Sequence, residues 1–141
     1  MRNKYANMFH MKHLLESDMR PNKSVDTSMV LNKAVKNAAL YLKLSQSELS
    51  KIVGSSPPQL SRLFNNNTAC IRENTKEWEC ALLFIRAFRS LEAIIGEDPK
   101  QLNEWLYSYN HYFGDTPIEK LKTIQGLTEV VQYLDAMRGR G

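Results

Sequence analysis

Two cysteines, Cys70 and Cys80, and three histidines, His10, His13 and His111, are the side chains with the most reactive chemistry to offer. The cysteines could pair as a disulfide or join His10 and His13 around a metal ion, but their spacing matches no zinc finger or knuckle, so no metal is expected. Cys80 falls within an apolar stretch and reads more simply as a core residue. The order of a Ser, His, Asp triad is missing, as are a glycine-rich phosphate cradle and an HExxH pair. His111, beside Tyr109 and Tyr112, reads as a packed or surface histidine. No enzymatic activity and no cofactor follow. The chemistry that remains is recognition, by polar side chains that helices must hold in place.

Residues 45–65 write two such helices with a corner between them. Ser45 followed by Glu48 makes a capping box, in which hydroxyl and carboxylate each satisfy a backbone N–H, so a helix starts at Gln46. Leu49, Ile52 and Val53 share its inner face, and Gly54 supplies the positive φ on which the chain leaves the helix. Ser55 or Ser56 caps the next helix, Pro57 suits its first position, and Leu60, Leu63 and Phe64 recur at helical spacing. Two short helices packed around a glycine corner make a helix-turn-helix.

With Leu49 five residues before Gly54, and Leu60 and Leu63 six and nine after it, the motif resembles the helix-turn-helix of the Xre and lambda-repressor class. That class usually places an alanine at the helix crossing, where this chain has Ser50. The resemblance implies that residues 57–65 form a recognition helix turning Pro58, Ser61, Arg62 and Asn65 toward a major groove. Arg62 would fork onto guanine and Asn65 onto adenine, with Gln46 and Gln59 on phosphates and Ser56 beside them. Pro57 and Pro58 remove N–H groups that a helix N-terminus normally offers to phosphate.

Charge distribution agrees with a phosphate-facing front half. Residues 1–62 carry ten Lys and Arg against four Asp and Glu, and residues 63–141 carry nine against eleven. The excess behind the overall charge of +4 therefore lies with the helix-turn-helix. There is no apolar signal segment at the start and no run long enough to span a bilayer, so a reducing, cytoplasmic setting with no membrane partner is expected.

The chain of 141 residues, 43% hydrophobic with few strand-like alternations, reads as all-α. Residues 1–25 form an arm, either an extra docked helix or a basic tail. Asp26 or Thr27 caps a helix with Leu31, Val35, Ala38 and Leu42 on one stripe and Lys33, Lys36 and Lys43 elsewhere on its surface. Residues 26–73 thus make the helix-turn-helix unit, in which the polar loop Asn65-Asn66-Asn67 follows the second of the two short helices. From about Thr75 to Ile95 the chain is apolar nearly all round, which demands cover on several sides. Residues 74–96 are therefore a connecting helix, serving either as a central core element or as a homodimer contact that brings two recognition helices to two half-sites. Asp98-Pro99 caps a further helix with Leu102, Trp105, Leu106 and Tyr109. Thr116 and Glu119 write a second capping box with Pro117 at the first helical position. Ile118, Leu121 and Ile124 then face inward, Gly126 breaks the chain, and Leu127, Val130, Val131, Leu134 and Met137 complete a last helix.

Across this end, Trp105-Leu106, Asn110, Phe113-Gly114, Thr116-Pro117, Leu121, Gly126-Leu127, Val130 and Tyr133-Leu134-Asp135 resemble the C-terminal toxin-binding domain of the Xre/MbcA/ParS antitoxins. Members often have a longer or glycine-richer turn than NHYFGDTP. The resemblance covers roughly residues 97–137 and, with the helix-turn-helix upstream, most of the chain in the family's order. It implies a small helical toxin-binding unit over residues 97–141, and an antitoxin that covers the active site of a RES-domain toxin that consumes NAD while repressing its own operon at operator DNA. It further implies toxin contact by Asn110, Phe113, Tyr133, Met137, Arg138 and Arg140, the last two meeting acidic or phosphate-binding features. The residues also admit a stand-alone repressor whose C-terminal helices only dimerise, and an adaptor that has kept the helix-turn-helix shape.

Overall fold

The computed structural model describes residues 26–139. The arm expected over residues 1–25, with His10 and His13, and the contact expected of Arg140 lie outside the described residues. Among the described residues there are seven α-helices and no strand: α1 (Thr27–Leu42), α2 (Gln46–Val53), α3 (Pro57–Asn66), α4 (Lys76–Ile95), α5 (Pro99–Tyr107), α6 (Pro117–Leu121) and α7 (Ile124–Gly139). The all-α class read from apolar periodicity is the class observed.

Caps fix where most helices begin. Asp26 accepts from the N–H groups of Ser28 and Met29 to start α1, and Ser45 and Glu48 close the expected box on α2 at 3.0 and 3.1 Å. Gly54 ends α2 at φ 80°, in the left-handed region that favours glycine. Ser56 caps α3 and forms a second capping box with Gln59, while Thr75 caps α4 and Asp98 caps α5. Asn65 and Asn66 belong to α3 rather than to a loop; the helix runs on until Asn67 turns it off at φ 52°.

α4 is the axis of the molecule. Its buried Ala81, Phe84, Ile85, Ala87, Phe88 and Leu91 join one hydrophobic cluster with Leu31, Val35 and Leu42 of α1, Leu49 and Val53 of α2, Leu60 and Leu63 of α3, and Leu127, Val130 and Leu134 of α7. Each large apolar side chain removed from water contributes about 1.5–3 kcal/mol, so this helix supplies the front and rear of the chain with most of the surface they share. α4 and α7 are also latched by charge. Asp135 takes the Arg86 guanidinium at 2.6 Å and the hydroxyl of buried Ser90 at 3.0 Å.

The end of the chain departs from the sequence reading in three places. Gly126 does not break the chain: α7 begins at Ile124, and Gly126 lies buried in its first turn. A Cβ there would drive into the Lys120 carbonyl and lie 2.9 Å from Thr123 Oγ1, so glycine is needed for close approach of α6 and α7 rather than for a turn. Ile124, expected to face inward, is 61% exposed because the helix starts on it. The Thr116 and Glu119 box does not form. Thr116 makes no side-chain cap, and the Glu119 carboxylate goes instead to Lys122 at 2.5 Å.

Candidate functional site

The helix-turn-helix side is built from the inside. Ser50 donates its hydroxyl to the Ser55 carbonyl at 2.6 Å, which explains a polar residue at the crossing: it satisfies a backbone acceptor of the turn that an alanine would leave to water. The far end of α3 is held by Lys36, whose ammonium reaches the Phe64 carbonyl at 3.0 Å and Asn67 Oδ1 at 2.9 Å and sits over the Phe64 ring. A cation at a helix C-terminus meets the negative end of the helix dipole, so Lys36 anchors the end of α3.

Behind α3, residues 67–75 return to α4 without regular structure and are pinned by Asn32. This fully buried amide behaves as a peptide group supplied by a side chain. Its Oδ1 accepts from the N–H groups of Cys70 and Ile71, both at 2.9 Å, and its Nδ2 donates to the Ser28 carbonyl at 2.7 Å and the Ile71 carbonyl at 2.9 Å. The Ser28 hydroxyl adds a second donor to the Ile71 carbonyl at 2.9 Å.

On this frame Gln46, Ser56, Pro58, Gln59, Arg62 and Asn65 are exposed and Ser61 is half-buried. Asn65 Nδ2 donates to Ser61 Oγ at 3.1 Å, so these two share a face one turn apart. The Gln59 oxygen accepts from the Ser56 N–H at 2.9 Å within the cap, which leaves its Nε2 hydrogens as the group able to reach a phosphate. Pro57 and Pro58 carry no N–H and that of Gln59 is directed at Ser56 Oγ, so α3 presents side chains rather than N-terminal amides. The exposed Arg62 guanidinium and Asn65 amide are among the groups on α3 capable of paired hydrogen bonds to base edges.

The C-terminal side is aromatic. Asn110 organises its turn, with its Oδ1 accepting from the N–H groups of Tyr112 at 2.9 Å and Phe113 at 3.4 Å, its own N–H reaching the Asp115 carbonyl at 3.0 Å, and Gly114 at φ 70° closing the loop. Phe113 is buried edge-on against Trp105, Tyr112 and Tyr133. Both residues therefore shape the turn from within. What they display is Tyr112, 67% exposed and packed at a tilt on Tyr133 with ring centres 4.5 Å apart, beside Tyr109, 61% exposed and edge-on to His111. Met137 lies one helical turn beyond Tyr133 on α7 and is exposed, as is Arg138. Tyr112 was not among the residues singled out by sequence. Its signal, a tyrosine in a turn between His111 and Phe113, is one that core and surface tyrosines share.

Front and rear meet through polar contacts. Tyr107 at the end of α5 donates to Glu48 Oε1 at 2.7 Å, Asn103 Nδ2 to the Leu42 carbonyl at 2.7 Å, and the Tyr41 hydroxyl to the Glu97 carbonyl. Burial works to raise the Glu48 carboxyl, but hydrogen bonds from the Ser45 N–H, the Tyr107 phenol and the Ser45 hydroxyl, with the charge of Lys122, outweigh it and hold the group below the usual carboxylate range. Burial, and then the bond to Glu48, push the Tyr107 phenol well above the usual tyrosine range.

Reactive groups are few. Cys70 and Cys80 are free thiols, and burial pushes both up. Among the described residues no three His, Cys, Asp or Glu side chains come together around a metal position, and no helix is long and apolar enough to cross a membrane.

The described residues thus form a helix-turn-helix-shaped front joined through one apolar helix to a small helical unit with an aromatic face. The family comparison bears on the rear unit: residues 90–140 match the antitoxin Xre/MbcA/ParS C-terminal toxin-binding domain. The match is one of similarity to a toxin-binding domain over that segment. It takes in the last turn of α4 and all of α5, α6 and α7, and so contains the aromatic face and Tyr107. No curated protein matches the chain.

Proposed function

We propose that this protein is the antitoxin of a toxin-antitoxin pair, that its C-terminal unit blocks a RES-type toxin that consumes NAD, and that α2 and α3 bind the operator of its own operon as a homodimer. The observation that carries the reading is the toxin-binding match over residues 90–140, fused through a common core to a helix-turn-helix whose exposed face bears Arg62 and Asn65. The toxin type rests on the resemblance of the chain to RES-linked antitoxins, and the dimer on the two half-sites that such recognition helices commonly read.

On the toxin side, Tyr109, Tyr112, Tyr133, Met137 and Arg138 form the contact, with Arg140 beyond them, and Asn110 and Phe113 hold that surface in shape. Exposed tyrosines supply large, stiff contact area with a hydrogen-bonding tip, the composition that dominates binding energy at protein interfaces. On the DNA side, Arg62, Asn65, Ser61 and Pro58 face the groove, and Gln46, Ser56 and Gln59 face phosphates.

Co-expression tests the reading. The product of the adjacent gene, toxic alone, should be neutralised by this chain and co-purify with it. Tyr112→Ala should weaken that capture by about 2 kcal/mol or more if the tyrosine is a hot spot. Removal of the residues after Asp135 should weaken neutralisation while sparing DNA binding. A neighbouring product that is harmless, or that this chain ignores, would return the protein to the reading as a stand-alone repressor.

A further inference from the structure

Tyr107 is the last residue of α5 and belongs to the segment matched as toxin-binding, yet its hydroxyl is bonded to the first turn of the helix-turn-helix. Its acceptor, Glu48 Oε1, also takes the Ser45 N–H at 3.1 Å and the Ser45 hydroxyl at 3.0 Å, so three donors converge on one carboxylate oxygen. Lys122, paired with Glu119 at 2.5 Å, adds its positive charge to the same carboxylate.

This carboxylate occupies a place of opposing demands. In the first turn of α2 it favours the helix, because it meets the positive end of the dipole and closes the cap. For a phosphate approaching Gln46, two residues away in that turn, it is a like charge, and at such range an uncompensated carboxylate repels. From the C-terminal unit Tyr107 supplies a direct hydrogen bond that compensates it, and Lys122, itself paired with Glu119, adds a weaker attraction.

We infer that Tyr107 is a positioning residue for operator binding, which fixes and partly neutralises Glu48 so that a phosphate can approach the first turn of α2. The inference rests on the proposal that α2 and α3 bind DNA. It makes the C-terminal unit a contributor to DNA affinity without any contact to DNA.

The test is the affinity of the full-length protein for a labelled fragment of its own promoter, read by fluorescence anisotropy across a salt series. Tyr107→Phe should bind roughly threefold to tenfold more weakly at low salt, with the difference shrinking as salt screens the exposed carboxylate. In a Glu48→Gln background the same change should have no effect. A merely structural role would lower the active fraction in a stoichiometric titration, or lower affinity equally at all salts and in both backgrounds. Lys122→Met gives a second arm that leaves the phenol in place, and it too should weaken binding in wild type and not beside Glu48→Gln. If the wild type binds and both variants match it, or if the loss persists beside Glu48→Gln, Tyr107 has no such role. If the wild type itself ignores its promoter, the DNA-binding proposal fails first and takes this inference with it.

Discussion

Replacing Asn32 with Ala should be among the most damaging single changes in the front half of the chain, although no charge and little volume are lost. The native amide makes four hydrogen bonds across 2.7–2.9 Å, two of them accepted from the N–H groups of Cys70 and Ile71. Alanine leaves the Ile71 N–H buried with no partner, at a cost of about 1–3 kcal/mol. The Cys70 N–H is only half-buried and regains water, so its loss costs about 0.5–1.5 kcal/mol. The Ile71 carbonyl keeps the Ser28 hydroxyl and adds little. The sum is about 1.5–4.5 kcal/mol, a large fraction of the roughly 5–15 kcal/mol by which domains are stable. Urea unfolding followed by circular dichroism should show the midpoint falling with the slope unchanged. Because the pinned segment follows α3, operator binding should weaken in parallel. Asn32→Ala within about 0.5 kcal/mol of wild type would refute the claim that this amide holds residues 67–75 in place.

Arg62→Ala should cost roughly 1–3 kcal/mol of operator binding and relax preference at one base position, checked by competition with single-base operator variants. Gly126→Ala should destabilise by about 1–3 kcal/mol despite alanine's better helix propensity of about 1 kcal/mol, because the Lys120 carbonyl it meets is backbone and cannot swing aside; thermal unfolding reads this directly. Glu48 has a folded value below its unfolded one, so its contribution is present above about pH 4.3 and lost as pH falls through the lower folded value. Glu48→Gln should therefore flatten the acid limb of the stability profile, seen by urea unfolding from neutral pH downward.

The features legible in the sequence were those in which a few neighbouring residues settle the outcome. Ser45 with Glu48, Gly54 and Asp98-Pro99 fix their helix ends within a turn, and all do so in the structure. The features that were not legible depend on partners far along the chain. Asn32 and Lys36 look like ordinary polar positions on an amphipathic helix until residues 64–71 are folded against them, 28 to 39 positions away. Gly126 was misread because a glycine chosen for close packing and one chosen for a turn are the same letter. The Thr116 box failed because a nearby lysine offered Glu119 a stronger partner. At the candidate site, exposure of the Arg62 and Asn65 face follows from helical spacing alone. The display of Tyr112 needed Phe113 and Tyr133 to be seen beneath it.

The apolar helix α4 has a consequence for how long this protein lasts. Because it buries side chains against the first helices and the last alike, each end loses part of its interior once the other is cut away. A protease that opens one end should digest the whole, leaving no surviving fragment to sit on the promoter after the inhibitor is gone. On the proposed function, the release of a captive enzyme and the resumption of its operon's transcription become a single event.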